Sequence, residues 1–128
     1  MDLTGRTALV TGGSGDIGAA ISMALAKLGA NVLVHTYQNL KAAKLVVEGI
    51  KKLGKNAKIF QANLLKREEV FRMSDEILSM GALDILVNNA GTPIKRVPWE
   101  ELDEEFLNQV FALNYRAPLY LTQKLTPG

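Results

Sequence analysis

The chain has 128 residues, 48% of them hydrophobic and 22% charged, with a formal net charge of +2. That size suggests a single domain with a real core, and the small charge, with no basic stripe, gives no sign of a nucleic-acid surface. The absence of cysteine excludes disulfides, thiolate metal sites and cysteine nucleophiles, and fits a reducing compartment. Residues 1–4 lack the positive stretch and apolar run of a signal peptide. No apolar segment approaches the ~20 residues needed to span a membrane. The expected location is cytoplasmic, and no metal site is expected.

Residues 7–11 (Thr-Ala-Leu-Val-Thr) read as a buried strand. A helix follows in which Ile17, Ile21, Ala24, Leu25 and Leu28 share one face, with Gly29 as its stop. Residues 32–35 predict a second strand, and Ala43, Val47, Ile50 and Leu53 a second helix ending at Gly54. Residues 57–62 alternate more strongly, which places that strand nearer a sheet edge. Val70, Met73, Ile77 and Met80 form the third helical stripe, ended by Gly81, and residues 83–88 are a fourth strand. Asp103 is placed to cap a last helix through Phe106, Val110 and Leu113, which Pro118 should kink. Strand and helix alternate four times, which implies an α/β fold: a parallel sheet with helices on both faces. No linker or low-complexity segment divides the chain.

Gly13-Ser14-Gly15-Asp16-Ile17-Gly18 is a G-x-G-x-x-G directly after the first strand and opening the first helix, the context such a loop requires. Glycines let the backbone approach a diphosphate closely, and the helix N-terminus offers unpaired N–H groups and a positive dipole end. The plainer reading is a glycine-rich turn without a ligand. Asp16 is awkward: its carboxylate either stands where phosphate should sit or points outward and favours the helix N-terminus. NAD sites usually place an acid on the ribose ~20 residues beyond the glycines. After Asp16 there is no acid until Glu48. The second strand ends in His35-Thr36-Tyr37-Gln38. This leans toward NADP, with NAD possible, although no arginine follows to clamp a 2′-phosphate and Lys41 is the nearest cation. His35 reads as a strand-end packing residue rather than a catalyst, since nothing nearby orients it.

Residues 11–18, Asn88-Asn89-Ala90-Gly91 after Leu-Asp-Ile-Leu-Val, and Asn114 in Ala-Leu-Asn-Tyr together resemble the short-chain dehydrogenase/reductase family. The resemblance covers the whole chain and is nearest the single-domain branch that includes 3-oxoacyl-acyl-carrier-protein reductases. It implies a Rossmann-type doubly wound sheet of about four strands in the order 3-2-1-4, the fourth an open edge. By the resemblance, Gly12, Ser14, Gly15, Gly18 and the backbone at Ile17 hold the adenosine ribose and diphosphate. Thr36 and Tyr37 lie beside the 2′ position, and Asn63 and Leu64 against adenine. Asn63 replaces the family's aspartate, keeping an amide oxygen but losing the charge. Asn89, Ala90 and Gly91 line the ribose, and Asn114 matches the asparagine that holds a water in the family's proton relay. Read without the family, Asn88 and Asn89 serve only to satisfy backbone at a strand end, and Asn114 to cap or bend a helix near Pro118.

Two departures stand out. Asp16 replaces the middle glycine of the single-domain branch, so the glycines fit the spacing of the longer branch. The family's serine, its Tyr-x-x-x-Lys pair, its later strands and its substrate lid are missing from these residues. Tyr120 and Lys124 have the spacing but lie far too early. They read as a chance match, and Tyr115 and Tyr120 as packing or interface residues. The resemblance therefore implies the N-terminal, cofactor-binding portion of a reductase of ketones or 3-oxoacyl groups, inactive alone for want of an acid. The other readings are an inactive nucleotide-binding module that pairs with an intact partner, and a non-functional remnant. The loop at residues 93–98, with Lys95 and Arg96, is read as solvated or reaching toward substrate, and a homo-oligomer through the Asn114 helix is expected.

Overall fold

Each apolar run becomes a strand because it has a hydrophobic layer on both sides. In the computed structural model, which describes residues 1–91 and 98–126, β1 (Thr7–Val10), β2 (Asn31–Thr36), β3 (Ala57–Gln61) and β4 (Ile85–Val87) form one parallel sheet. The strand order is β3-β2-β1-β4, the order expected. Successive side chains along a strand face opposite ways. Leu9, Leu33 and Phe60 accordingly enter one core, and Val10, Val32 and Val34 the other.

The first core is closed by α3 (Arg67–Ser79) through Val70, Met73 and Ile77, and by α5 (Ala117–Leu125) through Ala117, Leu121 and Leu125. The second is closed by α1 (Asp16–Lys27) and α2 (Leu40–Lys52), the latter through Ala43, Val47 and Ile50. Leu53 and Met80, expected on the buried stripes, are exposed, because each sits past its helix as the C-cap. β3 is an edge strand, as its alternation predicts, and among the described residues β4 pairs only with β1. The fourth strand is shorter than residues 83–88. Asp84 instead accepts the Thr7 N–H (2.9 Å) and turns the chain into the sheet.

The face of α1 differs from the expected one. Ile17 is 70% exposed, Ala24 and Leu28 are exposed, and the fully buried positions are Gly18, Ser22 and Ala26. Only Ile21 and Leu25 of the expected stripe pack against the core, and they do so partly. The apolar periodicity was one position off because this helix lies so close to the sheet that only small residues fit beneath it.

The last helical stretch is interrupted. Asp103 caps α4 (Glu104–Phe111), accepting the Phe106 N–H at 2.7 Å as expected. The kink expected at Pro118 takes the form of a wide turn over Ala112–Arg116, in which the Ala117 N–H reaches the Ala112 carbonyl. Pro118 has no N–H to give the carbonyl four residues back, and a widened turn absorbs that loss. Tyr120 stacks edge-on against Phe71 (centroids 5.3 Å apart), and Lys124 lies over the same ring and 3.9 Å from Asp75. This pair packs α5 onto α3, in keeping with a chance match. The corrected face of α1 gives the first prediction. Ser22→Leu overpacks the helix–sheet contact and lowers stability by about 1–3 kcal/mol, whereas Ile17→Lys changes it by less than about 0.5 kcal/mol, read as urea midpoints of the full polypeptide that carries these residues.

Candidate functional site

The turn after β1 is built by close backbone approach. Gly12 has φ +62° and passes beside Ala90 and the Asn89 amide. Gly18, one turn into α1, faces the Gly12 carbonyl so closely that any Cβ there would collide with it and with Asn89. Gly15 is the N-cap of α1, and no side chain caps the helix. The first N–H groups of a helix have no intrahelical partner, so α1 presents bare donors and a positive dipole end to the space in front of it. Asp16 is the first residue of α1 and is exposed, yet it also rims that space.

The ends of β2 and β3 form the second wall. Ser14 Oγ donates to Thr36 Oγ1 at 3.0 Å, bringing two hydroxyls together beyond β2. Asn63 Nδ2 donates to the Tyr37 hydroxyl (3.3 Å), its Oδ1 accepts the Leu65 N–H (3.0 Å), and its own N–H goes to Glu69 Oε1 (2.9 Å). The amide oxygen expected to face adenine therefore already holds a turn, with one lone pair left for a ligand. Leu64 is only 5% exposed and belongs mostly to the core below. Lys41 does not line the cleft. Its β2-side rim is Thr36, Tyr37, Gln38 and Asn39.

The third wall is the segment after β4. Buried Thr11 accepts the N–H groups of Asn89 and Ala90 at 3.0 Å each. Asn89 Nδ2 donates to the Gly12 carbonyl at 3.2 Å. Asn88 turns away, 3.5 Å from the Thr122 hydroxyl on α5. Asn89 thus does satisfy backbone, and it also lines the cleft. Asn114 lies in the wide turn and donates from Nδ2 to the Val110 carbonyl (2.9 Å). Its Oδ1 sits over Gly91, 2.5 Å from where a Cβ would be.

These walls enclose a cleft of about 660 Å³, a size typical of small-molecule sites. Gly12, Ser14, Gly15, Ile17, Gly18, Thr36, Tyr37, Asn63, Leu64, Asn89, Ala90 and Gly91 all line it; Asn114 does not, though its neighbour Leu113 does. The loop with Lys95 and Arg96 lies outside the described residues.

Sequence reasoning missed two residues. Thr11, the first residue of the glycine motif, is the clasp of the third wall. His35 is buried as expected but far from unoriented. Its Nδ1 accepts the Gly12 N–H at 2.9 Å, and its Nε2 lies 2.9 Å from the Ala62 carbonyl. Those partners come from turns 23 and 27 residues away in the chain, so no local pattern announces them. Burial pulls the ring's pKa below the ordinary histidine value, with the Ala62 carbonyl pulling weakly the other way.

The family profile described as short chain dehydrogenase matches residues 6–128. A hydroxynaphthalene reductase-like protein of Metarhizium robertsii is 43% identical over 122 residues, 94% of this chain and 45% of that protein. A short chain dehydrogenase from Burkholderia cenocepacia, solved in complex with NADP, superposes with a TM-score of 0.91 at 36% identity, covering 98% of this chain and 51% of that one. An NADH-dependent reductase complexed with NAD superposes with a TM-score of 0.88 at 29% identity, covering 96% and 52%. The chain thus spans about half the length of the relatives it matches. Among the described residues, no helix is long and apolar enough to cross a membrane.

The Thr11 clasp yields a test of its own. Thr11→Val keeps the shape but leaves two inward N–H groups without their acceptor, and should lower stability by about 1–3 kcal/mol per the cost of an unmet donor. Thr11→Ser, which restores the oxygen, should recover most of that in the same denaturation measurement.

Proposed function

The chain belongs to the short-chain dehydrogenase/reductase family, and we propose that residues 1–128 are the NAD(P)-binding, N-terminal portion of a longer carbonyl reductase of that family. The observation that carries this reading is the bare N-terminus of α1, uncapped by any side chain, opening on a cleft walled by the ends of all four strands. The fit to a dinucleotide is specific. The close Gly12–Gly18 approach clears space for a diphosphate at those N–H groups. The Ser14 and Thr36 hydroxyls stand at the adenosine ribose, with Tyr37 and Asn63 beside them and Leu64 beneath adenine. Asn89, Ala90 and Gly91 line the second ribose.

NADP is the proposed cofactor and NAD the alternative. Thr36, Tyr37, Gln38 and Asn39 offer hydroxyl and amide groups and no carboxylate where a 2′-phosphate would lie. Relatives with each cofactor bound are known, so the local chemistry of this wall decides. A bound nicotinamide supplies hydride to a carbonyl carbon. The proposed role of Asn114 is to hold a relay water beside Gly91. The acid that protonates the substrate oxygen would come from outside these residues. The substrate class proposed is a ketone or 3-oxoacyl group, and the relative named for hydroxynaphthalene reduction extends it to hydroxynaphthalenes. Exposed Leu107, Phe111 and Tyr115 along the last helices support pairing of two copies there.

Fluorescence titration of the full polypeptide is expected to give tighter binding of NADPH than of NADH. Thr36→Asp places a carboxylate at the ribose and should cost NADPH at least about tenfold in affinity (about 1.4 kcal/mol) while sparing NADH. Equal loss of both cofactors would refute the assignment of this wall. Asn114→Ala should lower kcat by about 100-fold with little change in the NADPH dissociation constant, measured by steady-state kinetics beside the titration.

A further inference from the structure

His35 joins two loops, the glycine turn after β1 and the Asn63 turn after β3. The Gly12 N–H can only donate, so Nδ1 must be an unprotonated acceptor. The Ala62 carbonyl can only accept, so Nε2 must carry the proton. The two partners together fix one tautomer of the neutral ring. The His35 backbone adds a third tie, its carbonyl accepting the Gly13 N–H at 2.9 Å. Through these contacts β2 holds the glycine turn on one side and, on the other, the residue that precedes Asn63.

Resting on the dinucleotide reading above, we infer that His35 is a positioning residue for the cofactor: as the neutral Nε2–H imidazole it sets the spacing between the glycine turn and the Asn63 turn, and protonation disengages the glycine turn and weakens binding. In the imidazolium both nitrogens are donors. Nδ1–H would then oppose the Gly12 N–H across 2.9 Å, and one of the two must move. The ring has little room, since it is 3% exposed. The Gly12 backbone is the part that yields. Its carbonyl is held by Asn89 and packs on Gly18, so its displacement carries the phosphate-facing end of α1 with it.

Among the described residues no charged side chain hydrogen-bonds the ring. Ionisable side chains on the surrounding elements include Asp16 on α1, Tyr37 beyond β2, Lys58 on β3, Glu69 and Arg72 on α3, and Lys66 at the α3 N-cap, Arg72 being engaged with the Gln61 carbonyl. Asp16 is exposed, Tyr37 pairs with Asn63, and Glu69 accepts the Asn63 N–H beside a 4.0 Å contact to Lys66. Among the described residues none hydrogen-bonds the imidazole. Burial therefore holds the neutral form down to pH values below the ordinary 6.5 of histidine. The sign follows. Affinity is full above that value and falls as pH drops through the lowered one, by at most about tenfold per pH unit for a single proton.

The test compares wild type, His35→Asn and His35→Leu in the full polypeptide by NADPH and NADH fluorescence titration from pH 8 to pH 5. Asparagine keeps an acceptor for Gly12 but does not titrate. Leucine keeps neither contact. At pH 8 His35→Asn, which loses the Ala62 contact, should bind more weakly than wild type, and His35→Leu more weakly still, at least about tenfold below wild type (about 1.4 kcal/mol). As pH falls below the ordinary histidine value, wild type should lose affinity for both cofactors that His35→Asn keeps. The comparison within each cofactor removes the titration of the 2′-phosphate itself. Parallel pH curves for wild type and His35→Asn overturn the inference, as does wild-type affinity in His35→Leu. If no protein binds either cofactor at pH 8, the dinucleotide reading itself falls, an outcome distinct from parallel curves. Should the variants fold poorly, imidazole ¹⁵N shifts of wild type decide: the Nε2–H tautomer at pH 8 is expected, and an Nδ1–H tautomer refutes it.

Discussion

Gly12 is held by both of its backbone polar groups, and the cleft depends on that clamp. His35 takes its N–H and Asn89 its carbonyl, while Gly18 packs against the same carbonyl. These three neighbours come from the end of β2, the segment after β4 and the first turn of α1. One residue thus fixes the relative positions of three chain segments. Thr11 reinforces it by accepting two N–H groups of the segment after β4. Close-packed groups of this kind transmit a shift rather than absorb it. A disturbance at Gly12 therefore reaches the end of α1.

The location of the clamp follows from the topology. β1 lies between β2 and β4, and chain order runs outward from it in both directions. Open parallel sheets bind ligands at such a switch point, beyond the carboxyl ends of the strands. The turn after β1 must pass there, and the helix it feeds must dip toward the sheet. That dip forces Gly18, Ser22 and Ala26 beneath α1. The described lining contains no lysine or arginine. An anion in the cleft would be met by N–H dipoles and hydroxyls, which act strongly where solvent is partly excluded. Asp16 works against them from an exposed position, where solvent screens it.

Much of this was legible in the sequence, and the exceptions share a cause. Strand positions, glycine stops and the Asp103 cap are local features, and local chemistry predicts them. The glycine loop was legible because its spacing is chemically constrained. The buried face of α1 was not, because hydrophobic periodicity assumes that large residues face the core, and here tight approach reverses that preference. The fourth strand starts later than its apolar run because Asp84, just before it, bonds the Thr7 N–H through its side chain. The role of His35 is not legible because both its partners are backbone groups of other turns. A buried histidine flanked by apolar residues looks the same in sequence whether its nitrogens are idle or engaged.

The choice of histidine at that position has a physical logic. The group must accept from Gly12 and donate to Ala62 at once, from opposite ends of one side chain. A hydroxyl is too short to span that gap. An amide carries an acceptor and a donor too, but it does not titrate. The imidazole ring aims its acceptor and its donor in diverging directions, and it has both only when neutral. In His35, tying the two turns and responding to protons therefore reside in one ring. The side chain that ties the glycine turn to the Asn63 turn is one whose protonation undoes the tie.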